Sequence, residues 1–255
     1  MKTYIVGNWK MNFTVGESSI YLHKLLKRIK PAKGLQIVVA PSPVALQPLS
    51  LQTDRKKIRI SAQNCWGRDF GAYTGETAVA QLKGVVDYCI IGHSERRHIF
   101  GETDKMTKEK VAACIRNGIP PILCIGETES ERTFGETADV LRDQIVAGLS
   151  DVSKEDLKKV IIAYEPVWAI SSVKGAKLAS PDDIAQSVEL IRKYLKATYG
   201  KEAEEIPILF GGSVNPSNAG AYLTIPGVNG LLIGGASLIA DQFNDIIEVA
   251  KRVRA

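Results

Sequence analysis

Eight short, wholly apolar runs recur along the chain: TYIVGN (3–8), LQIVVAP (35–41), KIRISAQN (57–64), DYCIIGHS (87–94), PPILCIGE (120–127), KVIIAYEP (159–166), IPILFGGS (206–213) and NGLLIGGAS (229–237). Strands with one wet face alternate apolar and polar residues, whereas unbroken apolarity marks parallel strands covered on both faces. Helical stripes separate most of the runs. In 16–30, Ile20, Leu22, Leu25, Leu26 and Ile29 share one side. SPDDIAQSVELIRKYLKATYG carries its own boundaries: Ser180 as N-cap, Pro181 at the first helical position, Asp182 and Asp183 at the positive end, Gly200 as the stop. Its inner face is Ile184, Val188, Ile191 and Leu195, and 238–253 repeats the pattern with Leu238, Phe243, Ile246, Ile247, Ala250 and Val253. Eightfold strand–helix alternation in 255 residues predicts one (β/α)8 barrel domain spanning 1–255 with a parallel eight-stranded core. A doubly wound open sheet is the alternative. No Pro/Gly/Ser-rich linker or low-complexity tract marks a second domain.

Bulk properties narrow the functional classes. The chain is 45% hydrophobic and 24% charged, an ordinary soluble balance. No apolar run approaches the roughly 20 residues of a membrane span. The start, MKTYIVGNWKMN, lacks the apolar core of a secretory leader, so a cytoplasmic protein is expected. The net charge of +5 is spread without a basic block, which gives no reason to expect nucleic acid or a membrane as partner. Cys65, Cys89, Cys114 and Cys124 show no CxxC spacing, and the three histidines form no ligand pattern. Reduced, packed cysteines and no metal site are therefore expected.

The informative polar residues sit where strands end. Asn8 and Lys10, Gln63 and Asn64, His93 and Ser94, Glu127, Glu165 and Ser213 all lie at or just past the C-terminal end of a run. In a barrel those ends converge on the face that carries chemistry. Asn8 and Lys10, two apart, point to the same side of an extended segment, so Lys10 projects an ammonium into a shared pocket unless it snorkels to the surface. His93 precedes SERR, a short helix start whose free N–H groups can donate to one imidazole nitrogen. That bond favours neutral imidazole and leaves the other nitrogen as a donor toward a ligand; a purely structural capped histidine is the alternative. Glu165, ending VIIAY, is partly desolvated, which raises its basicity and suits a general base near neutral pH. A structural ion-paired glutamate is its alternative. Pro166 and Trp168 form a stiff departure, followed by the small, loose SSVKGAKLAS, which reads as a lid. FGGSV (210–214) and IGGAS (233–237) place glycines after strands seven and eight, where backbone N–H groups can approach phosphate. A lysine, an imidazole donor, a carboxylate base and a phosphate cradle fit proton abstraction beside a carbonyl in a small phosphorylated compound.

GNWKMN, AQN, GAYTGE, IGHSERR, CIGE, AYEPVWAI, GGSVNP and GLLIGGASL resemble the motifs of triosephosphate isomerase, in that family's order, from residue 7 to 238. The resemblance implies a TIM barrel that interconverts dihydroxyacetone phosphate and glyceraldehyde 3-phosphate in glycolysis and gluconeogenesis, with no metal or organic cofactor. It implies Glu165 as the base, His93 as the neutral electrophile and Lys10 as the cation at the oxyanion, with Asn8 beside it. The pairing of a carboxylate base with a neutral imidazole is the known arrangement of that enzyme. Glu95 resembles the acid that positions the lysine and backs the histidine. Ser171, Ser213, Gly234 and Gly235 resemble phosphate contacts, and Pro166 and Trp168 the front lid hinge. GRDFGAYTGE (67–76), with Thr74 near its tip, resembles a loop that inserts into the partner of a homodimer. Its exposed Phe70 and Tyr73 favour that reading over a loop folded on its own barrel.

Two departures stand out. Ten residues, 171–180, separate Ile170 from Pro181, where the family pattern has about three fewer, so Ser171 and Val173 stand near family glycine positions. Phe210 replaces the tyrosine whose hydroxyl helps latch the closed lid, and one such bond contributes about 1 kcal/mol. Closure over the enediolate is still expected, through different contacts. Another barrel enzyme, such as a Schiff-base aldolase, would need an inward lysine on a central strand. A sugar-phosphate binder would keep the cradle without Lys10, His93 and Glu165.

Overall fold

The computed structural model describes residues 2–170 and 177–254. Eight parallel strands close on themselves in sequence order. They are β1 (Thr3–Asn8), β2 (Leu35–Ala40), β3 (Arg59–Ala62), β4 (Tyr88–Ile91), β5 (Pro121–Ile125), β6 (Ile161–Tyr164), β7 (Ile208–Gly212) and β8 (Val228–Ile233). β1 pairs with both β2 and β8, so no strand edge is left open. Around them run α1 (Val15–Arg28), α2 (Leu46–Gln52), α3 (Val79–Leu82), α4 (Ser94–Phe100), α5 (Asp104–Arg116), α6 (Glu129–Thr133), α7 (Thr137–Leu149), α8 (Pro181–Tyr199), α9 (Ala219–Thr224) and α10 (Ala240–Arg254). The closed barrel excludes the open doubly wound sheet.

The apolar runs are apolar because they serve two cores. Val6, Val38, Ala40, Ile90, Ile122, Cys124, Ile161, Ala163, Leu209 and Leu232 fill the barrel, with Tyr4 and Tyr88 edge-to-face at its lower end, 6.3 Å apart. Their neighbours in sequence, such as Ile5, Ile91, Ile125 and Phe210, point outward into the larger layer beneath the helices. Period two thus divides the apolar strand residues between the two cores. At Gly230 a Cβ would lie 2.0 Å from the Tyr4 carbonyl oxygen, so only glycine permits β8 to close against β1.

The helix ends follow the sequence signals. Ser180 caps α8 in a capping box with Asp183, Pro181 opens the helix, and Gly200 ends it at φ 76°. Thr14 and Glu17 do the same for α1. All four cysteines are free and buried. Among the described residues no helix is long and apolar enough to cross a membrane.

Candidate active site

Strand parity delivers two of the site's side chains. Asn8 continues the inward column Tyr4–Val6, and Glu165 continues Ile161–Ala163, so both surface inside the barrel mouth at 5% exposure. Glu165 fits because its neighbours are glycines. A Cβ on Gly211 would lie 2.7 Å from Glu165 Cγ, and one on Gly126 2.0 Å from the Glu165 carbonyl oxygen.

Lys10 arrives differently. Its backbone is left-handed, φ 52°, which costs a non-glycine residue on the order of 1 kcal/mol. Two bonds hold it there. Lys10 N–H donates to Asn8 Oδ1 at 3.1 Å, and Gln63 Nε2 donates to the Lys10 carbonyl at 2.9 Å. Gln63 also reaches the Ala40 carbonyl at 2.8 Å, tying three strand ends together. The Lys10 ammonium then pairs with Glu95 Oε1 at 2.6 Å.

His93 is the N-cap of α4. Its Nδ1 accepts the Glu95 backbone N–H at 3.2 Å, as expected from SERR opening a helix. A nitrogen that accepts carries no hydrogen, so the ring hydrogen sits on Nε2, assigned from this bond. Nε2 faces Glu165 Oε1 at 3.3 Å. Burial pushes the His93 pKa down, but the Glu165 and Glu95 carboxylates outweigh it and hold it above the ordinary value. For Glu165 burial pushes up, while His93 and Lys10 pull harder and hold the carboxyl below its usual range. The sequence predicts a raised carboxyl from desolvation. The direct contact with His93 reverses the sign in this arrangement.

Asn8, Lys10, His93, Glu165, Ile170, Gly212, Leu232 and Gly234 line one pocket. Gly234 is half-buried beside the Lys10 side chain, and Gly235 is exposed with open space where a Cβ would be. Ser213 is half-buried near the same rim. Its N–H and its hydroxyl both donate to the Ala169 carbonyl at 3.0 Å, so the turn that holds Ala169 occupies both donors here. Ser171 lies outside the described residues, together with the rest of 171–176, which is most of the lengthened segment.

Pro166 and Trp168 are buried, on a turn over Val167–Ala169. The residue holding Trp168 is Glu127, which the sequence marks only as a polar strand end. Continuing β5, Glu127 faces outward rather than into the barrel. It is fully buried and accepts Trp168 Nε1–H at 2.8 Å and Tyr164 O–H at 3.2 Å. Arg132 stacks on the Trp168 ring at 4.5 Å. At the rear, Tyr222 O–H donates to the Ala179 carbonyl at 3.3 Å and its ring packs on Phe210, centroids 4.8 Å apart. Only strand parity signals Glu127, and nothing in the sequence signals Tyr222.

Thr74 is exposed on the 67–76 loop, as is Phe70, and the base of the loop is closed by a β-bridge between Trp66 and Ala78. A separate cavity of about 300 Å³ opens next to Lys10 and His93, lined by the exposed Met11 and Phe100 with Gln63, Asn64, Glu95 and Arg96. The site therefore offers an acid–base pair, a fixed cation and open glycine N–H groups around a space for one small molecule.

Known proteins match this arrangement along nearly the whole chain. The family model described as triosephosphate isomerase matches residues 3–250. A triosephosphate isomerase of Clostridium acetobutylicum is 42% identical over 250 residues, 97% of this chain and 99% of the relative. That of Streptococcus mutans is 39% identical over 252 residues, 98% and 99% of the two chains. The crystal structure of triosephosphate isomerase from Bartonella henselae superposes with a TM-score of 0.88 at 36% identity, covering 98% of this chain and 99% of the other. A shared closed barrel, ordered motifs and near-complete coverage leave one conclusion: the chain belongs to the triosephosphate isomerase family.

Proposed function

We propose that this protein is a triose-phosphate isomerase that interconverts dihydroxyacetone phosphate and glyceraldehyde 3-phosphate through an enediolate. The observation that carries the reading is the convergence of Glu165, His93 and Lys10, distant in sequence, on one pocket, with Glu165 and His93 3.3 Å apart. The Glu165 carboxylate removes the proton from the carbon beside the carbonyl. The C–H electron pair moves into the forming C=C bond and the carbonyl π pair onto oxygen. His93 Nε2–H donates to that oxygen, and the Lys10 ammonium offsets its charge. His93 gives its Nε2 proton to that oxygen and takes the hydroxyl proton from the neighbouring one, and the carbon proton returns at the neighbouring carbon as the new carbonyl forms. A substrate inserted between His93 and Glu165 breaks their contact. That removes the pull of each group on the other, which makes the carboxylate a stronger base and the imidazole easier to keep neutral, with Lys10 and Glu95 still acting on them. The phosphate lies on Gly234 and Gly235, with Ser213 and Ser171 as further donors once the lid has moved, turning on Pro166 and Trp168. Neither a metal nor an organic cofactor takes part.

The working unit in this proposal is a cytoplasmic homodimer of single-domain subunits. Phe70 at 89% exposure and Met11 at 96% are poorly placed against water, and the 300 Å³ cavity beside Lys10 suits the 67–76 loop of a second copy, carrying Thr74. Sedimentation equilibrium should give twice the chain mass.

A coupled isomerisation assay of wild type beside Glu165→Gln tests the chemistry. The substitution should lower the rate about 100- to 10,000-fold, the typical contribution of a positioned base. Wild type should also incorporate solvent deuterium into dihydroxyacetone phosphate. Neither turnover nor exchange in the folded wild type would make it a sugar-phosphate binder instead.

A further inference from the structure

Three of the four cysteine sulfurs meet in one place. Cys65 follows β3, Cys89 lies on β4 and Cys114 on α5, yet their Sγ atoms all fall within 4.8 Å of one another. Cys65 Sγ and Cys114 Sγ are 3.8 Å apart, and all three side chains are 1% exposed or less. None of them lines the pocket described above. Four cysteines without CxxC spacing give no sign of this, because the three belong to elements that only the barrel brings together.

We propose that Cys65, Cys89 and Cys114 form a binding site for one soft, thiophilic d10 cation of the zinc and cadmium class, separate from the isomerase pocket. Tetrahedral zinc–thiolate bonds of about 2.3 Å put ligand sulfurs roughly 3.8 Å apart. Cys65 and Cys114 already stand at that separation, and pairs as wide as 4.8 Å close by about 1 Å through small χ1 adjustments or suit the longer bonds of a larger cation. The donor set is all sulfur, with no histidine or carboxylate within the group, which selects soft cations over magnesium or calcium.

Charge supports it. Lys110, one helical turn before Cys114, and Arg96 both pair with Glu102, so these three side chains carry one positive charge in excess. Three thiolates around a divalent cation carry one negative charge. Binding takes up the cation and releases the thiol protons to bulk water. Occupied, the site would clip β4 and α5 to the root of the 67–76 loop, which begins two residues after Cys65.

The test uses the full-length protein, reduced and anaerobic, titrated with cadmium chloride. One cadmium per chain should bind, with ultraviolet sulfur-to-cadmium charge-transfer absorption and a raised melting temperature. X-ray absorption of the complex should show three sulfurs around the metal. Cys89→Ala and Cys114→Ala, the latter a good helix former, should each weaken binding at least about tenfold. Absence of uptake, a first shell with fewer than three sulfurs, or wild-type affinity in both variants would overturn the proposal. The sulfur count is read on wild type, so it stands whether or not a variant folds.

Discussion

Gly211→Ala should disable the proposed base without touching it. An added Cβ would stand 2.7 Å from Glu165 Cγ, 3.1 Å from Oε1 and 3.4 Å from Cδ. Unstrained carbon–carbon contacts begin near 3.5 Å, so the Glu165 side chain must move by roughly 0.8 Å. It cannot retreat by carrying its backbone toward β5, because Gly126 is already closed against the Glu165 carbonyl and Glu165 N–H is held by the Ile125 carbonyl at 2.8 Å. The carboxylate itself is displaced relative to His93, now 3.3 Å away. Misplacement of a reacting group by about 1 Å costs on the order of 100-fold, or about 2.7 kcal/mol of barrier. kcat/KM should therefore fall about 100-fold, and overpacking should lower stability by about 1–3 kcal/mol.

Two comparisons separate this from general damage. Inhibition by inorganic phosphate should be retained, since Gly234 and Gly235 belong to a different loop. Gly16→Ala on α1, where a Cβ meets nothing within 4 Å, should keep full activity. If folded Gly211→Ala turns over within about twofold of wild type, the position of Glu165 does not limit the reaction and the steric argument is wrong.

Tyr222→Phe removes the hydroxyl that donates to the Ala179 carbonyl and should cost about 1 kcal/mol, a fall in Tm of roughly 2–4 °C for a chain of this size. Unchanged melting would mean that this bond is replaced by water without loss. The Glu127 carboxyl is pushed above its ordinary value by burial, which its bonds from Trp168 and Tyr164 and the nearby Arg132 only partly offset. A raised carboxyl contributes stability that is fully present below the unfolded value of about 4.3 and is lost as pH rises through the folded value. Urea unfolding of Glu127→Gln should therefore improve relative to wild type as pH rises above that point; a difference that shrinks instead would show that the carboxylate's partners outweigh its burial.

Much of the barrel is legible in the sequence because strands buried on both faces leave unbroken apolar runs, and β1 coincides with TYIVGN residue for residue. The α8 limits are equally plain, since Ser180, Pro181 and Gly200 act locally through their own dihedrals and side chains. Asn8, Lys10, His93 and Glu165 are legible as polar residues at strand ends, a one-dimensional signal of a three-dimensional convergence. What escapes are properties of pairs. Gln63 holding the Lys10 carbonyl, Gly211 making room for Glu165, and His93 reversing the sign of the Glu165 shift all depend on which strand ends become neighbours. The sulfur cluster escapes for the same reason. Spacing in sequence reports on partners within one element, and these partners sit on different ones.

Parity also explains how the proposed base and the proposed hinge can be built from adjacent residues. Tyr164 points outward, where its hydroxyl meets Glu127 beneath the helices; Glu165 points inward to His93. Backbone bonds then pin both sides of this switch: Glu165 N–H to the Ile125 carbonyl at 2.8 Å, and Val167 N–H to the Glu127 carbonyl at 2.9 Å. In the proposed closure the turn at Pro166 and Trp168 gives way through the Val167 bond and the indole's hydrogen bond to Glu127, while the Glu165 bond to Ile125 stays. On the proposed function, such a hinge lets a cover move while the carboxylate keeps its place. A site needing a base fixed to within a fraction of an ångström beneath a moving cover is served by this division, and substitutions at Glu127 should disturb closure before they disturb proton abstraction.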